Sequence, residues 1–248
     1  MNLLGYNLIG ALRQRLGAVV ASFAGAAACC LCGALMAFVF APGQAVRAAN
    51  VSRLPQMDAA TVQSAAPGDT LLITGVLTGN DPLPETSALV AYRAERFSVR
   101  APNDTDDGPS EPSGAWTSIG STVPDLTLDM NGQPVQLLEA ANVRLTGPLH
   151  EEIVPGAGLT AEYQNETIAD GTVRYAGLAD GDQTTVLGTK VVSGGVTPEQ
   201  LFAGNRAAFE ASEKGAASNF LISGICAMAM APVVLVGGIL LALFGRRR

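Results

Sequence analysis

The sequence predicts a mostly β fold, a small antiparallel barrel or sandwich, flanked by two transmembrane α-helices. Of the 248 residues, 48% are hydrophobic and only 15% are charged, and residues 18–41 and 220–244 contain no Asp, Glu, Lys or Arg. Between these end segments, short alternating apolar runs are separated by Gly, Pro, Asn and Asp, which is typical of antiparallel β-domains. The composition excludes a plain cytosolic globule, and the net charge of −7 argues against a nucleic-acid-binding protein.

The first predicted span comprises residues 18–41. Its 24 residues would reach about 36 Å as a helix, enough to cross a hydrocarbon core of about 30 Å. Pro42 and Gly43 predict its end. A signal peptide, cleaved near residues 46–48, is the alternative, and it would leave a single-pass surface protein. The apolar segment exceeds the usual 7–15 residues of a signal peptide, which favours an uncleaved helix.

Small residues recur at every fourth position of this span, a pattern that allows close helix packing in lipid. The second span offers Gly224, Met228, Gly237 and Gly238 as counterparts. The pattern either arises by chance in an Ala-rich span or packs the two helices on each other or on a second copy. The recurring positions are Gly17, Ala21, Gly25, Cys29, Gly33 and Ala37.

Flanking cations predict the orientation of the spans. Five arginines, Arg13, Arg15, Arg246, Arg247 and Arg248, lie outside the pair, and only Arg47 lies close to its inner ends. By the positive-inside rule both termini are cytoplasmic and the central domain is extracytoplasmic, in a protein of the cell membrane. Residues 50–215 contain all 22 acidic residues and nine basic ones, a net charge of −13.

The predicted organisation is a cytoplasmic segment (1–17), a first span (18–41), a linker (42–66), a β-rich domain (67–197), a helical connector (198–219), a second span (220–244) and a basic tail (245–248). Pro232 is expected to kink the second span without ending it. The predicted strands are 70–78, 88–100, 115–119, 126–130, 135–138, 143–145, 173–178 and 183–192.

Turn signals support this strand series. Asn131-Gly132 between two strands is a strong hairpin signal, and Asp180-Gly181-Asp182 predicts another turn. Residues 103–114 are acidic, rich in turn-forming residues and without large apolar residues, and therefore predict a loop. Residues 198–213 show helical spacing and are expected to lead into the second span.

No catalytic, cofactor-binding or metal-binding residue is predicted. All four cysteines, Cys29, Cys30, Cys32 and Cys226, lie in the apolar spans, where thiols are neutral and unreactive. His150 is the only histidine, too few for a zinc site, and is predicted to lie in a loop. Four acidic residues of the 103–114 loop could attract calcium, but the glutamate that closes an EF-hand loop is missing at Ala115. These four are Asp104, Asp106, Asp107 and Glu111.

Several short motifs in the central region resemble one known family. They are Ser-Ala-Leu-Val-Ala-Tyr-Arg at 87–93, Val-Pro-Asp-Leu at 123–126, Arg-Tyr-Ala-Gly-Leu at 174–178 and Thr-Val-Leu-Gly at 185–188. Together with the two spans, they are similar to the GIDE, or beside-a-membrane (BAM), domain family. The resemblance implies a domain between two membrane helices, with both termini in the cytosol, that binds proteins close to the membrane. Organellar members are ubiquitin ligases with a zinc-binding RING after the second helix, where this chain has only residues 245–248, so ligase activity is not implied.

The leading hypothesis is a non-enzymatic scaffold whose outer domain binds another membrane or envelope protein through the strand at 91–97 and the acidic loop. The other expected partners are the lipid bilayer and a second copy through the helices, but no nucleic acid. The alternative is an envelope enzyme or accessory subunit. It would use carboxylates at 104–107 or the pair Glu151 and Glu152, in a cleft with shifted pKa values.

Overall fold

The chain divides into two compact units. A computed structural model describes residues 3–101, 104–105, 108–109 and 112–244. Met1–Arg53 and Glu210–Arg248 form the helical unit, and Leu54–Phe209 forms the β-rich unit. The sequence predicted narrower limits for the β-rich domain, residues 67–197. The unit is larger because it includes a short helix before the first strand and one further strand after residue 195.

The helices are α1 (Leu3–Leu35), α2 (Ala41–Arg53), α3 (Ala59–Ser64) and α4 (Arg206–Phe244), with a π-helical turn, Met36–Phe40, between α1 and α2. The strands are β1 (Thr70–Leu77), β2 (Leu89–Arg100), β3 (Asp104–Thr105), β4 (Gly108–Pro109), β5 (Ser113–Thr122), β6 (Leu126–Asp129), β7 (Pro134–Leu137), β8 (Arg144–Thr146), β9 (His150–Val154), β10 (Thr160–Tyr163), β11 (Glu166–Ala169), β12 (Val173–Ala179), β13 (Gln183–Lys190) and β14 (Val196–Ala203).

The first long helix does not end at Pro42, and the predicted linker is helical as far as Arg53. A proline inside an α-helix lacks an N–H, and its ring clashes with the carbonyl four residues earlier. Here the helix widens into a π-turn just before the proline, and the Ala41 N–H donates to the Met36 carbonyl, five residues back. The wider turn accommodates Pro42, so the helix continues into α2.

Within the helical unit, the first and last helices pack antiparallel. A Cβ placed on Gly33 would lie 2.6 Å from the Gly224 carbonyl oxygen, so the two backbones approach too closely for any side chain there. The Phe40 and Phe220 rings lie 6.0 Å apart, towards the Arg53 end of the pair. These helices are long and apolar enough to cross a membrane, by length and composition.

Five strands of the β-rich unit form a closed barrel in the order β13-β1-β6-β7-β14, with β14 pairing back to β13. The interior is filled by buried Leu, Ile and Val side chains, among them Leu71, Ile73, Leu128 and Leu137. Strand β8 adds to β14 in parallel. The predictions of a mostly β domain with a small barrel and of flanking apolar helices are confirmed, but the barrel is not wholly antiparallel as predicted, because β14 pairs in parallel with β7.

A second, four-stranded sheet has the order β5-β2-β12-β9. It shares the core of the barrel, because Val90 and Ala91 of β2 and Leu178 of β12 belong to the same buried cluster. A separate hairpin is formed by β10 and β11. The candidate site lies on this second sheet.

The predicted turns at Asn131-Gly132 and Gly181 are confirmed. Asn131 and Gly132 both have positive φ, 58° and 86°, as a type I′ turn requires, and the turn joins β6 to β7. Gly181, with φ of 90°, lies between β12 and β13.

Strands β9, β10, β11 and β14 were absent from the predicted series, and so were β3 and β4, which pair as a short hairpin inside the predicted loop at residues 103–114. The β10–β11 turn uses two non-glycine residues in the left-handed region, Gln164 and Asn165, so the usual glycine signal is missing. Residues 198–203, which were predicted to be helical, belong to strand β14. Leu201 belongs to the barrel core while the next side chain, Phe202, packs on Phe209, and burial on both faces removes the alternation typical of a strand.

Candidate functional site

A cleft of about 610 Å³ lies on the four-stranded sheet, with the β10–β11 hairpin as one wall. Strands β5 and β12 form its floor, β9 forms its open rim, and Pro155 and Thr172, which flank β9 and β12, complete the lining. The residues that matter for its chemistry are Trp116, Glu151, Ile153, Tyr163, Glu166 and Arg174.

An aromatic–cation pair forms the floor of the cleft. The Arg174 guanidinium lies 4.6 Å from the centroid of the Trp116 ring, within the range of a cation–π contact. Its Nε donates to Glu95 Oε2 at 3.2 Å, and Nη2 donates to the same oxygen. Glu95 and Arg174 are directly opposite each other on β2 and β12, so the sheet register places the ion pair. The guanidinium is therefore fixed over the indole, and its charge is largely balanced.

Aromatic packing holds the hairpin over the sheet. The Phe97 ring is fully buried and lies 5.2 Å from Trp116 and 5.8 Å from Tyr163 of β10. Residue 114 must be glycine for this packing, because a Cβ there would overlap the Phe97 ring. This aromatic cluster therefore fixes the hairpin wall of the cleft in place against the sheet.

Strand β9 supplies the open rim. Ile153 is 61% exposed although it is aliphatic, and Glu151, two residues earlier, points to the same side of the sheet. Glu152 points to the opposite side. Its carboxylate accepts hydrogen bonds from the Ser87 N–H, the Ser87 hydroxyl and the Ala88 N–H at 2.8, 3.0 and 3.0 Å. These bonds, above all that from the Ser87 backbone, hold the pKa of Glu152 below its ordinary value.

The carboxylate of Asp58 also has a lowered pKa. Asp58 caps α3, accepting from the Thr61 hydroxyl at 2.6 Å and the Thr61 N–H at 2.8 Å, and the hydroxyl contact contributes most. Both lowered pKa values thus belong to groups with a structural role, one at a helix cap and one fastening a loop. Burial raises the pKa of Tyr92, on the other face of the sheet, where its ring packs edge-on against Tyr175 at 4.9 Å.

The sequence-predicted contact surface differs from this cleft. Strand β2, which contains residues 91–97, is an inner strand, and its Ala91 and Phe97 side chains are fully buried, Ala91 in the barrel core and Phe97 in the aromatic cluster. Of the acidic loop, Asp104 lies in β3, whereas Asp106, Asp107 and Glu111 lie outside the described residues. The cleft residues Trp116, Tyr163 and Arg174 were missed. The only tryptophan of the chain, two residues after a glycine, was the available signal.

His150 was predicted to lie in a loop. Instead it is the first residue of β9, opposite Gly177 of β12. Its Nε2 lies 3.1 Å from Asp182 Oδ1 in the β12–β13 turn. The prediction failed because β9 is too short and too acidic to show a strand pattern. Among the described residues, no group of three or more His, Cys, Asp or Glu side chains could hold a metal ion.

The small residues of the first span face α4 at some positions and not at others. Gly33 meets Gly224 and Met228, a Cβ added to Gly25 would lie 3.5 Å from Val234, and Ala37 is buried against Gly224. An added Cβ on Gly17 would contact nothing within 4 Å. The remaining members of the pattern, Ala21 and Cys29, lie on the same helix, and the thiols of Cys29, Cys30, Cys32 and Cys226 are free.

Of the predicted topology determinants, Arg13 and Arg15 lie on α1, and Arg246, Arg247 and Arg248 lie outside the described residues. The four motifs that resemble the GIDE family fall mostly in β2, β12 and β13 and in the segment leading into β6. Comparison with protein-family models, curated proteins and solved structures finds no match. The family resemblance stays a prediction carried by these motifs.

Proposed function

We propose that the chain is a two-pass membrane protein with both termini in the cytoplasm and a GIDE-like β-rich unit outside, which binds a partner protein through the cleft on its four-stranded sheet. In this proposal the protein is a non-enzymatic interaction module. The observation that carries the proposal is the Trp116–Arg174 pair, half-buried in an open cleft beside the exposed Ile153.

The surface of the helical unit supports membrane insertion. Phe38 is 72% exposed, and large aliphatic side chains such as Leu31, Ile222 and Val233 are exposed along both long helices. In water such a surface would be unfavourable, whereas in a hydrocarbon core it costs nothing. The distribution of charge agrees, because the acidic residues lie between the two apolar segments.

The residue types in the cleft support protein binding. Tryptophan, tyrosine and arginine are the side chains that most often dominate protein–protein binding energy, especially in pockets from which water is excluded. Trp116, Tyr163 and Arg174 are held in position by Phe97 and Glu95, so they lose little conformational freedom on binding. Such preorganisation favours recognition of another protein.

Chain connectivity supports a partner in or near the same membrane. The β-rich unit begins at Leu54, directly after α2, and ends at Phe209, inside the first turn of α4. A domain attached at both ends by helices has a high effective concentration towards other proteins in that membrane. We therefore expect a membrane or envelope protein as partner.

Topology is tested first by single-cysteine labelling. The four native cysteines all lie on the long helices, so a chain with all of them changed to Ala provides a clean background. Val192→Cys, in the β13–β14 turn where the native side chain is 89% exposed, should react with a membrane-impermeant maleimide on sealed cells. Cysteines added at either terminus should react only after lysis. Labelling of a terminus on sealed cells, or protection of position 192, would contradict the topology.

Partner binding is tested by photocrosslinking in intact membranes. A photoreactive amino acid at Thr167, an exposed residue that lines the cleft, should give a discrete crosslinked protein. The same group at Val192 serves as the control, because it is exposed but lies outside the cleft. Trp116→Ala should abolish the Thr167 crosslink. Equal crosslinking from both positions, or a crosslink that survives Trp116→Ala, would refute a binding role for the cleft.

A further inference from the structure

We infer that β9 is a docking edge for an extended peptide segment of the partner, with a basic residue and an aliphatic residue two positions apart that face Glu151 and Ile153. The inference rests on the proposed function and specifies the chemistry of the partner. It depends on three properties of β9, namely its free backbone edge, its exposed aliphatic side chains and the charge of its rim.

Strand β9 ends the four-stranded sheet and offers a regular edge. Its five residues pair with β12 in unbroken register, from His150 opposite Gly177 to Val154 opposite Val173. Among the described residues, no other strand pairs with it, and no backbone hydrogen bond joins it to a loop. An edge with unpaired N–H and C=O groups is a template for a further strand.

The opposite edge of the sheet, β5, is a poorer template. Its register with β2 shifts between Ala94 and Glu95, and Gly120 on the same strand has φ of 125°. Bulges of this kind twist an edge and interrupt the regular spacing that strand addition needs. Of the two edges of this sheet, β9 therefore has the regular register, and it also lines the cleft.

Aliphatic side chains on β9 are exposed on both faces of the sheet. Ile153 is 61% exposed on the cleft side and Val154 is 47% exposed on the other. Two adjacent aliphatic residues on a free edge are an unusual feature for a surface that only contacts water. An added strand would cover both, because its own side chains alternate between the same two faces.

The charges around this edge favour a basic partner. Glu151 lies on β9 beside Ile153, and Glu166 lies on the hairpin across the cleft. On the same face of the sheet, Arg174 is already paired with Glu95, and the exposed Arg93 lies on the inner strand β2, two strands away from Glu151. On the opposite face, Glu152 is bonded to Ser87 and Ala88. The accessible charge at the rim is therefore negative, in a region, residues 50–215, whose net charge is −13. A lysine or arginine opposite Glu151 would be complementary.

A second copy of the chain fits this edge less well. Antiparallel pairing of β9 with itself over all five residues would place the two Glu152 side chains directly opposite each other and would bring together two copies of a region whose net charge is −13. Like charges opposite each other on paired strands are destabilising. We therefore assign the edge to a basic segment of another protein, and self-association becomes an outcome that would overturn the proposal.

The test uses the full chain in lipid nanodiscs and a fluorescein-labelled peptide of sequence TKTVTKT. The peptide places Lys, Val and Lys on one face of a strand, in either direction of pairing. We expect the fluorescence anisotropy to rise on binding and hydrogen exchange of the β9 amides to slow at least tenfold. The control peptide TETVTET should bind at least tenfold more weakly.

Matched variants locate the site. Ile153→Asp should weaken peptide binding at least tenfold, whereas Leu159→Asp, also at a residue that is 61% exposed but in the loop after β9, should not. Glu151→Lys should reverse the preference towards TETVTET, and Glu162→Lys, on the exposed side of β10, should leave it unchanged. Ile153→Thr, a strand-compatible replacement, keeps the test valid if the aspartate variant fails to fold.

The proposal is overturned if TKTVTKT fails to bind, if it binds Ile153→Asp and Ile153→Thr as well as the native chain, or if exchange slows on β5 instead of β9. A dimer that dissociates in both Ile153 variants would assign the edge to a second copy, which also overturns it. In each of these cases, a Thr167 crosslink that depends on Trp116 would still support partner binding, so failure of this inference is distinguishable from failure of the proposed function.

Discussion

The two units of this chain use apolar residues in opposite ways. In the helical unit, large apolar side chains such as Phe38 face outward, and the helices meet through glycines, at Gly33 and Gly224. In the β-rich unit, the large aliphatic residues, such as Leu128, fill the barrel, and the carboxylates face outward. Removal of apolar surface from water thus stabilises the second unit, whereas close backbone packing dominates the contact in the first.

The largest effect is expected from a cavity in the barrel. Leu128 is fully buried, and Leu128→Ala should lower the free energy of unfolding of the β-rich unit by about 2–5 kcal/mol, because it removes buried methyl groups and leaves a void. This loss of stability is measured by urea unfolding, with the fluorescence of Trp116 as the signal. Val76→Ala, at a partly exposed position on β1, should cost far less. Equal losses from the two variants would show that the barrel interior is not the main source of stability.

In the helical unit, the informative change is the addition of a large side chain at a glycine. Gly33→Leu should separate the two helices, at a cost of about 1–3 kcal/mol, because the Gly224 carbonyl occupies the space of any side chain. Cysteines at positions 40 and 220, in the cysteine-free background, report the contact through their yield of oxidative crosslinks.

In that assay, Gly17→Leu is the matched control, because nothing lies within 4 Å of its Cβ position. We expect the crosslink to be lost for Gly33→Leu and kept for Gly17→Leu, with Trp116 unfolding unchanged in both. A crosslink that persists in Gly33→Leu would contradict the close approach of the backbones.

A Gly→Ala substitution should change stability in opposite directions in the two units. Gly132 has φ of 86° in the β6–β7 turn, so Gly132→Ala should destabilise by about 1 kcal/mol. Gly215 lies in α4 with nothing within 4 Å, so Gly215→Ala should stabilise the helix by about 0.5–1 kcal/mol. Thermal unfolding measures both, by Trp116 fluorescence and by far-UV circular dichroism. The contrast between the units would weaken if both variants shifted the midpoint in the same direction.

The smallest effect is a pH dependence confined to the β-rich unit. The pKa of Glu152 is lowered in the folded state, so its hydrogen bonds to Ser87 and Ala88 stabilise the fold at pH values above the ordinary 4.5. This contribution is lost as the pH falls through the lower, folded pKa. The difference in thermal midpoint between the native chain and Glu152→Gln should therefore shrink from pH 7 towards pH 3. A difference that grows on acidification would contradict the assignment.

How far the sequence could predict the fold depended on local signals. Asn131-Gly132 specified its hairpin because both residues readily adopt positive φ. The Gln164-Asn165 turn adopts the same conformation without glycine, and so β10 and β11 were missed. Pro42 was a misleading signal, because a π-turn allows the helix to continue past it.

The candidate site was less predictable than the fold. Strand β2 showed a clear alternating pattern, but the pattern could not reveal that β2 would be an inner strand or that Trp116 and Tyr163 would cover Phe97. Strand β9 had the opposite problem, because its few residues, with two adjacent glutamates, resemble a loop. Its importance comes from its place at the edge of a sheet.

The sequence by itself determined the two apolar helices, the β character of the central region and the excess of carboxylates between the helices, since composition and short-range periodicity depend only on neighbouring residues. Tertiary structure alone decided the barrel closure, the edge position of β9 and the Trp116–Arg174 cleft. Glu95 and Arg174 are 79 residues apart in the chain, yet strand pairing joins them. No turn joins β2 to β12, so no local turn signal could specify that these two strands pair or in which register.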